Sequence, residues 1–83
     1  MPTVLRFRGY DVMLFADDHP PARVHVRGNG VEMIYRLNCS ERLVGSRERV
    51  GAVSPIEQRA VEDFLTDHAG ILCERWAAID DQR

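Results

Sequence analysis

The chain has 83 residues, of which 45% are apolar and 29% are charged, a composition typical of one small globular domain. This composition excludes a disordered chain, and the net charge of -2 argues against a generic basic coat for nucleic acid. The longest uninterrupted apolar run, VMLFA, is far shorter than a membrane-spanning helix, so we expect no membrane association.

The N-terminal segment and the two cysteines favour a cytoplasmic location. MPTVLRFRG carries arginines inside its apolar run and has no A-x-A-like cleavage site, so we expect no secretory signal. Cys39 and Cys73 are distant in the sequence and form no C-x-x-C pair. We therefore expect both thiols to stay reduced and to act as small apolar fillers.

Charge is distributed unevenly along the chain. Residues 1–50 hold eight arginines and six acids, a net charge of +2, whereas residues 51–83 hold three arginines and seven acids, a net charge of -4. Every one of the 11 basic residues is an arginine, whose planar fork suits phosphate or carboxylate. Genome base composition explains this all-arginine usage as well as chemistry does.

The first 22 residues predict two strands and a loop. In VLRFR, residues 4–8, apolar side chains alternate with arginines, which is typical of a strand, and Gly9 then offers a turn or bulge. Residues 12–16 are continuously apolar, as in a strand that is covered on both faces. Residues 17–22 predict a loop, because Pro20 and Pro21 cannot donate hydrogen bonds to a sheet.

Asn29-Gly30 is the favoured pair for a type I′ turn and predicts a hairpin over residues 23–37. Counting outwards from this turn places Arg23 opposite Arg36. One face of the hairpin then carries Val24, Val26, Met33 and Tyr35. The other face carries Arg23, His25, Arg27, Glu32, Ile34 and Arg36. A register slip of one residue would mix these two sets.

The second half predicts a long helix after an irregular stretch. Residues 38–53 are irregular, and Leu43-Val44 fits either a short strand or one helical turn. Ser54-Pro55-Ile56-Glu57 is a capping box that begins a helical region over residues 54–79. The apolar stripe of this helix is Ile56, Ala60, Phe64, Leu65, His68, Ile71, Leu72, Trp76 and Ile79. Gly70 predicts a kink or a break within the helix.

These elements predict a single α+β domain over residues 1–83. The fold is a small, largely antiparallel four-stranded sheet in the order β-β-β-β-α, with one long, kinked C-terminal helix packed on its apolar face. We expect His68 and Trp76 to be packed side chains, and Glu62, Asp63 and Asp67 to form the solvated face of the helix. An acidic helix beside an arginine-bearing sheet face also suggests a homodimer.

Three separated segments carry a resemblance to a known family. The opening MPTVLRFRGY, the DHPP-x-x-VHV stretch and the S-P-x-E helix that ends near a tryptophan resemble the prokaryotic domain-of-unknown-function family 4160. In the family pattern, a histidine and two or three prolines precede histidine-x-histidine. His19 and His25 match the outer histidines, whereas Arg23 stands at the middle one. The resemblance implies a small bacterial protein with a small protein partner and a regulatory or toxin–antitoxin-like role.

The histidines and the neighbouring acids raise the question of a metal site. Asp17, Asp18, His19 and His25 are all metal-ligand types, but the spacings typical of zinc sites are absent. His19 and His25 could converge only if the proline loop folds back on the hairpin. With an arginine at the position of a third histidine, we expect no metal and no cofactor.

An anion-binding surface is the hypothesis that we favour. Arg23 opposite Arg36 is a like-charge cross-strand pair, which is unfavourable unless an acid or an anion lies between the two. Asp17, Asp18, a partner's carboxylate or a nucleic-acid phosphate could supply that negative charge. The predicted binding residues are Arg23, His25, Arg27 and Arg36, with His19 shaping the loop. Arg6 and Arg8 extend the surface if the first strand shares its face.

Two alternatives remain. His25 as a general acid or base, with Arg23 stabilising developing charge, would suit a small metal-independent nuclease. A structural module whose helix docks on a partner would need neither residue, and Arg27 opposite Glu32 is then an ordinary cross-strand pair. We favour a protein that is not an enzyme and that binds a small protein partner, a nucleic-acid backbone or both.

Overall fold

The computed structural model describes residues 3–15, 21–41 and 43–81. The elements are strands β1 (Thr3–Phe7), β2 (Tyr10–Met13), β3 (Arg23–Gly28), β4 (Val31–Asn38) and β5 (Leu43–Val50), followed by helices α1 (Pro55–Asp67) and α2 (Ala69–Asp80). The strands form one antiparallel sheet in the order β1-β2-β3-β4-β5, so each strand pairs with its neighbour in the chain. One face of this meander packs against the helices.

The α+β class predicted from the sequence is confirmed, with two differences of detail. The described chain has five strands where four were expected, because β5 extends over Leu43–Val50 and not over a single turn. Its sequence, LVGSRERV, contains a glycine and three charged residues, which interrupt the alternation that marks a strand. The helical region is divided into two helices, and the division falls at His68 rather than at Gly70.

Two tight turns lie side by side at one end of the sheet. Positive φ angles occur in pairs, at Arg8 (50°) and Gly9 (82°) and at Asn29 (51°) and Gly30 (73°), as type I′ turns require. The Asn29 side-chain amide donates to the backbone carbonyl of Arg8 at 3.3 Å, which joins the two turns. An added Cβ at Gly28 would lie 2.2 Å from the carbonyl oxygen of Gly9, so the backbones approach too closely for any other residue.

The predicted register of the hairpin is confirmed at all six pairs, from Gly28 opposite Val31 to Arg23 opposite Arg36. Its apolar side chains other than Ile34 therefore share one face, which packs against the helices. The buried core residues of the sheet are Tyr10, Val12, Leu14, Val24, Val26, Met33, Tyr35 and Leu37. The helices contribute Val61, Leu65, Leu72 and Trp76 to the same core cluster. Trp76 is thus a core residue, as predicted.

The start of α1 follows the predicted cap, but part of the predicted apolar stripe is wrong. The Ser54 hydroxyl accepts from the Glu57 backbone N–H at 3.1 Å, and the Glu57 carboxylate lies 3.6 Å from the Arg8 guanidinium. Ile56 is 83% exposed, because nine residues at about 100° per residue place it on the side of the helix opposite the buried Leu65. Val61, absent from the predicted stripe, is buried in its place, while Ile71 is exposed.

His68 closes α1 and lies at the break before α2. Its backbone N–H is shared between the carbonyls of Phe64 and Leu65, each 3.2 Å away, and its Nδ1 atom lies 2.8 Å from the Phe64 carbonyl oxygen. The imidazole stacks on the Phe64 ring at 4.1 Å, and Phe64 stacks on Phe7 of β1 at 4.4 Å. His68 is therefore a packed side chain, as predicted.

The expectation that both cysteines are reduced fillers is wrong. Cys39 and Cys73 form a disulfide, with their Cα atoms 5.5 Å apart. Cys39 follows β4 and Cys73 lies on α2, so only the tertiary fold brings together two residues that are 34 positions apart. None of the helices described here has the length and apolarity to cross a membrane.

Candidate anion-binding face

The polar side of the β3–β4 hairpin lies on the sheet face turned away from both helices. We call this surface the hairpin face, and it comprises Arg23, His25, Arg27, Glu32, Ile34 and Arg36. Cross-strand partners pair Arg23 with Arg36, His25 with Ile34 and Arg27 with Glu32. The core side chains of the same strands point to the helices, so the hairpin face can meet another molecule without disturbing the core.

One end of the hairpin face is a row of alternating charges. Arg6 on β1 forms an ion pair with Asp11 on β2, with 3.2 Å between Nε and Oδ1, and Asp11 lies opposite Arg27. Arg27 in turn forms an ion pair with Glu32 on β4. Arg6 therefore shares the face, as the sequence analysis allowed, while Arg8 is directed to Glu57 on α1. Each cation in the row has an acidic neighbour, so the row attracts anions weakly.

Phe15 covers the middle of the hairpin face. Its ring meets the His25 imidazole edge-on at 4.7 Å between centroids, and the Arg27 guanidinium lies 5.3 Å from the ring centroid. The His25 ring is consequently half-buried, and its Nδ1 atom is shielded from solvent. Sequence reasoning missed Phe15, although a signal was present: Asp11, Met13 and Phe15 recur at every second position and therefore share one side of the chain.

The other end of the hairpin face carries the like-charge pair. Arg23 is half-buried and Arg36 is exposed, and the two are direct cross-strand partners. Side chains at such positions begin about 5 Å apart, so two planar forks project from neighbouring points of the sheet. Two guanidinium groups in this arrangement can hold one carboxylate or phosphate between them, because each offers paired N–H donors. The described register thus brings together the two arginines on which the sequence hypothesis depended.

Several predicted participants lie outside the described residues. These are Asp17, Asp18 and His19, so the predicted approach of His19 to His25 remains a prediction. The same holds for the screening of Arg23 and Arg36 by a loop aspartate. Within the described ranges, no three residues of the types His, Cys, Asp and Glu lie close enough together to hold a metal ion.

A polar network lies on the helix side of the sheet. The Tyr35 hydroxyl donates to Oε2 of Glu62 at 2.9 Å, and the Gln58 amide donates to the same oxygen at 3.0 Å. Glu62 was expected on the solvated face of the helix, and this expectation is wrong, because its carboxylate is half-buried against the sheet. The network borders a cavity of about 410 Å³ between α1 and β5, which Arg59 and Thr66 also line.

A second cavity, of about 480 Å³, opens beside the disulfide. Its walls come from the residues before β3, the end of β4 and the following turn, and α2. Arg36, Asn38, Cys39 and Trp76 are among the lining residues. Arg36 is among the lining residues of this cavity, while the register of β4 places its side chain on the hairpin face.

Comparison with protein-family models matches residues 9–77 to a domain of unknown function, DUF4160. The match covers β2 to β5, α1 and most of α2, and it includes all residues of the hairpin face. Neither the search of the curated proteins nor that of the solved structures found a match.

Proposed function

Because the chain belongs to the DUF4160 family, a domain of unknown function, we propose a role for it from the chemistry of its own surface. The protein is a small regulatory or toxin–antitoxin-like component, and its hairpin face binds an acidic segment of a protein partner. Arg23 and Arg36 hold a carboxylate of that partner. The observation that carries this proposal is the direct cross-strand pairing of these two arginines on the face opposite the helices.

The surroundings of the pair favour a protein partner over a nucleic-acid backbone. The row Arg6–Asp11–Arg27–Glu32 alternates in sign, so this part of the surface presents no run of positive charge. A nucleic-acid site would instead need a continuous basic track. Ile34 lies on the same face two positions before Arg36, and Phe15 contacts His25 and Arg27 further along it. Such a mixed surface suits a peptide segment that carries both acidic and apolar side chains.

The roles of the remaining predicted residues follow from their contacts. His25 is held edge-on by Phe15, so we assign it to shaping the surface and not to proton transfer. Arg27 forms an ion pair with Glu32, so part of its charge is already used within the hairpin face. His19 keeps its predicted role in the loop that precedes β3.

The cytoplasmic location and bacterial origin implied by the sequence remain part of the proposal. The Cys39–Cys73 disulfide makes the location testable, because thiols in a reducing compartment act on accessible disulfides. Alkylation of free thiols in intact cells, before lysis, would report the redox state of both cysteines in place.

The proposal is tested by affinity capture from the source cells with three forms of the tagged chain. These are the wild type, Arg23→Ala with Arg36→Ala, and a control, Arg59→Ala with Arg75→Ala. Both control arginines are exposed on the helices, so each double variant loses the same charge. We expect the wild type and the control to retain one stoichiometric small protein, which the hairpin variant loses.

Other outcomes identify the alternatives. A partner lost only by the helix control would indicate a module that docks through its helices, and the hairpin proposal would be wrong. A captured second copy of this chain would indicate a homodimer. Bound RNA or DNA that salt removes would indicate a phosphate site. A nuclease activity abolished by His25→Ala alone would make the protein an enzyme.

A further inference from the structure

The second helix carries fewer charges than the first. Among its 12 residues α2 has three charged side chains, whereas α1 has five among 13. Six residues of α2 are exposed to solvent, and three of these six are apolar: Ile71, Ala77 and Ala78. Because a helix that faces only water carries mainly polar and charged side chains on its outer side, the outer side of α2 has the composition of a contact surface.

Four of the exposed residues follow one another at i, i+3, i+4 and i+7. We call them the outer stripe of α2, and they are Ile71, Glu74, Arg75 and Ala78. At about 100° per residue, Ile71 and Ala78 lie only about 20° apart and form the midline of the stripe. Glu74 lies on one flank of this midline and Arg75 on the other. The opposite side of the helix carries its buried residues, which are Ala69, Leu72, Cys73 and Trp76.

The two charges of the outer stripe have no counterpart on their own helix. Glu74 and Arg75 are adjacent, so their side chains diverge, and the positions three and four residues away from each of them are uncharged. Within the part of the chain that the structure describes, neither residue forms an ion pair, whereas Arg59 and Asp63 pair with each other on α1. Two opposite charges on the flanks of one stripe are thus open to contact with another molecule.

A second copy of the same helix supplies both complementary charges. When two helices lie side by side in parallel about a two-fold axis, opposite flanks of their stripes meet, as the e and g positions do in a parallel coiled coil. Glu74 of each copy then meets Arg75 of the other, and Ile71 packs against Ile71 of the second copy. In an antiparallel pair like flanks meet, which brings Glu74 beside Glu74. The charge pattern therefore selects the parallel arrangement.

We propose that the outer stripe of α2 is a homodimer interface, in which two copies of the chain associate through parallel α2 helices. The hairpin face lies on the sheet face turned away from the helices, so the dimer leaves both hairpin faces accessible to the acidic partner. The dimer presents two such faces at once. A partner with two acidic segments therefore binds the dimer more tightly than it binds a single chain.

The contact is short, so the association is weak. With 12 residues, α2 is about 18 Å long. A single helix pair of this length buries less than the roughly 1,200 Å² that stable complexes bury. We expect a dissociation constant of about 0.1 mM. The constant should rise with salt, because exposed ion pairs are screened.

Sedimentation velocity of the full-length chain over a range of concentrations tests the proposal. The variants are Glu74→Arg, Arg75→Glu and the double variant that carries both substitutions. Each single substitution brings like charges together at both contacts and should weaken self-association about tenfold. The double variant restores both pairs with their signs exchanged, so it should associate as the wild type does.

Two isoleucines provide the matched control for the apolar midline. Ile71 is 40% exposed and Ile56 is 83% exposed, but only Ile71 lies on the outer stripe. We expect Ile71→Ser to weaken self-association and Ile56→Ser to leave it unchanged. A chain that stays monomeric up to about 1 mM would overturn the proposal. So would a dimer that neither single charge substitution weakens, or a double variant that melts like the wild type but does not recover association.

The dimer and the hairpin proposal can fail separately. Arg59→Ala with Arg75→Ala removes one charge from each contact of the dimer, so it should weaken self-association while it still captures the acidic partner. Arg23→Ala with Arg36→Ala should lose the partner and associate with itself as the wild type does. If this hairpin variant lost self-association while melting like the wild type, the copies would meet through the hairpin face and the α2 interface would be wrong.

Discussion

The hydroxyl of Tyr35 donates to the carboxylate of Glu62 across 2.9 Å, and this bond joins the middle of the sheet to α1. Tyr35 is 1% exposed, so its hydroxyl lies where water has little access and a partner is needed. The Gln58 amide donates to the same carboxylate oxygen at 3.0 Å. Glu62 thus accepts hydrogen bonds both from Tyr35 in the core of β4 and from Gln58 on α1.

Removing the hydroxyl with Tyr35→Phe should lower the free energy of unfolding by about 1 kcal/mol, because a half-buried hydrogen bond to a charged acceptor is lost while the ring stays. Urea denaturation of Tyr35→Phe, Glu62→Ala and the double variant would complete a thermodynamic cycle. We expect a coupling of about 1 kcal/mol between the two positions. Strictly additive effects would mean that the bond contributes nothing to stability.

Gly28 provides a sharper test, because its neighbours are backbone atoms. Gly28→Ala would place a methyl group 2.2 Å from the Gly9 carbonyl oxygen and 2.8 Å from the Tyr10 Cα, and neither atom can move without shifting a strand or turn. We expect a loss of about 3 kcal/mol in the free energy of unfolding. Thermal or urea denaturation would measure it.

Gly45→Ala is the matched control for that experiment. Among the described atoms, its new methyl group would meet only the Arg36 carbonyl oxygen, at an ordinary 3.6 Å. We expect no loss of stability, and a gain of about 0.5 kcal/mol from reduced freedom of the unfolded chain. Equal effects at Gly28 and Gly45 would contradict the close approach of the two hairpin turns.

The hairpin could be predicted from the sequence because its determinants are local. Asn29-Gly30 selects the turn type, and the period of two then decides which side chains share a face, so the whole register followed from two residues. Ser54 and Pro55 likewise defined where α1 begins. The turn and the helix start each depend on residues only a few positions apart, so they can be recognised without knowing the rest of the fold.

What could not be predicted depends on contacts between distant parts of the chain. β5 forms because it can pair with the edge of β4. Its own sequence contains Gly45 and three charged residues and lacks the alternation that predicts a strand. Cys39 and Cys73 meet only once α2 lies across the sheet. Phe15 joins the hairpin face because β2 runs beside β3. Its spacing from Asp11 indicates the side of the chain on which it lies, but not which strand lies next to it.

The disulfide should contribute substantially to stability. Cys39→Ser combined with Cys73→Ser frees a loop of 34 residues in the unfolded state and should lower the free energy of unfolding by about 4 kcal/mol. Reduction of the wild type with excess dithiothreitol should lower its melting temperature to a similar extent, while the double serine variant should not respond to the reductant. Thiol titration would verify that reduction is complete. If the melting temperature of the fully reduced wild type is unchanged, the disulfide does not contribute to stability.

The charge pattern of the hairpin face yields opposite predictions for two of its residues. Arg36→Gln removes one member of the proposed carboxylate clamp and should weaken binding of the acidic partner about tenfold, in line with the loss of a charge-assisted hydrogen bond. Glu32→Gln removes the acid that engages Arg27 and should strengthen binding about two- to threefold, since the guanidinium is then available to the partner. Isothermal titration of the captured partner at two salt concentrations would measure both effects, and the gain from Glu32→Gln should shrink at the higher salt. If both substitutions weakened binding, the partner would be recognising the shape of the Arg27–Glu32 pair and not the positive charge of the face.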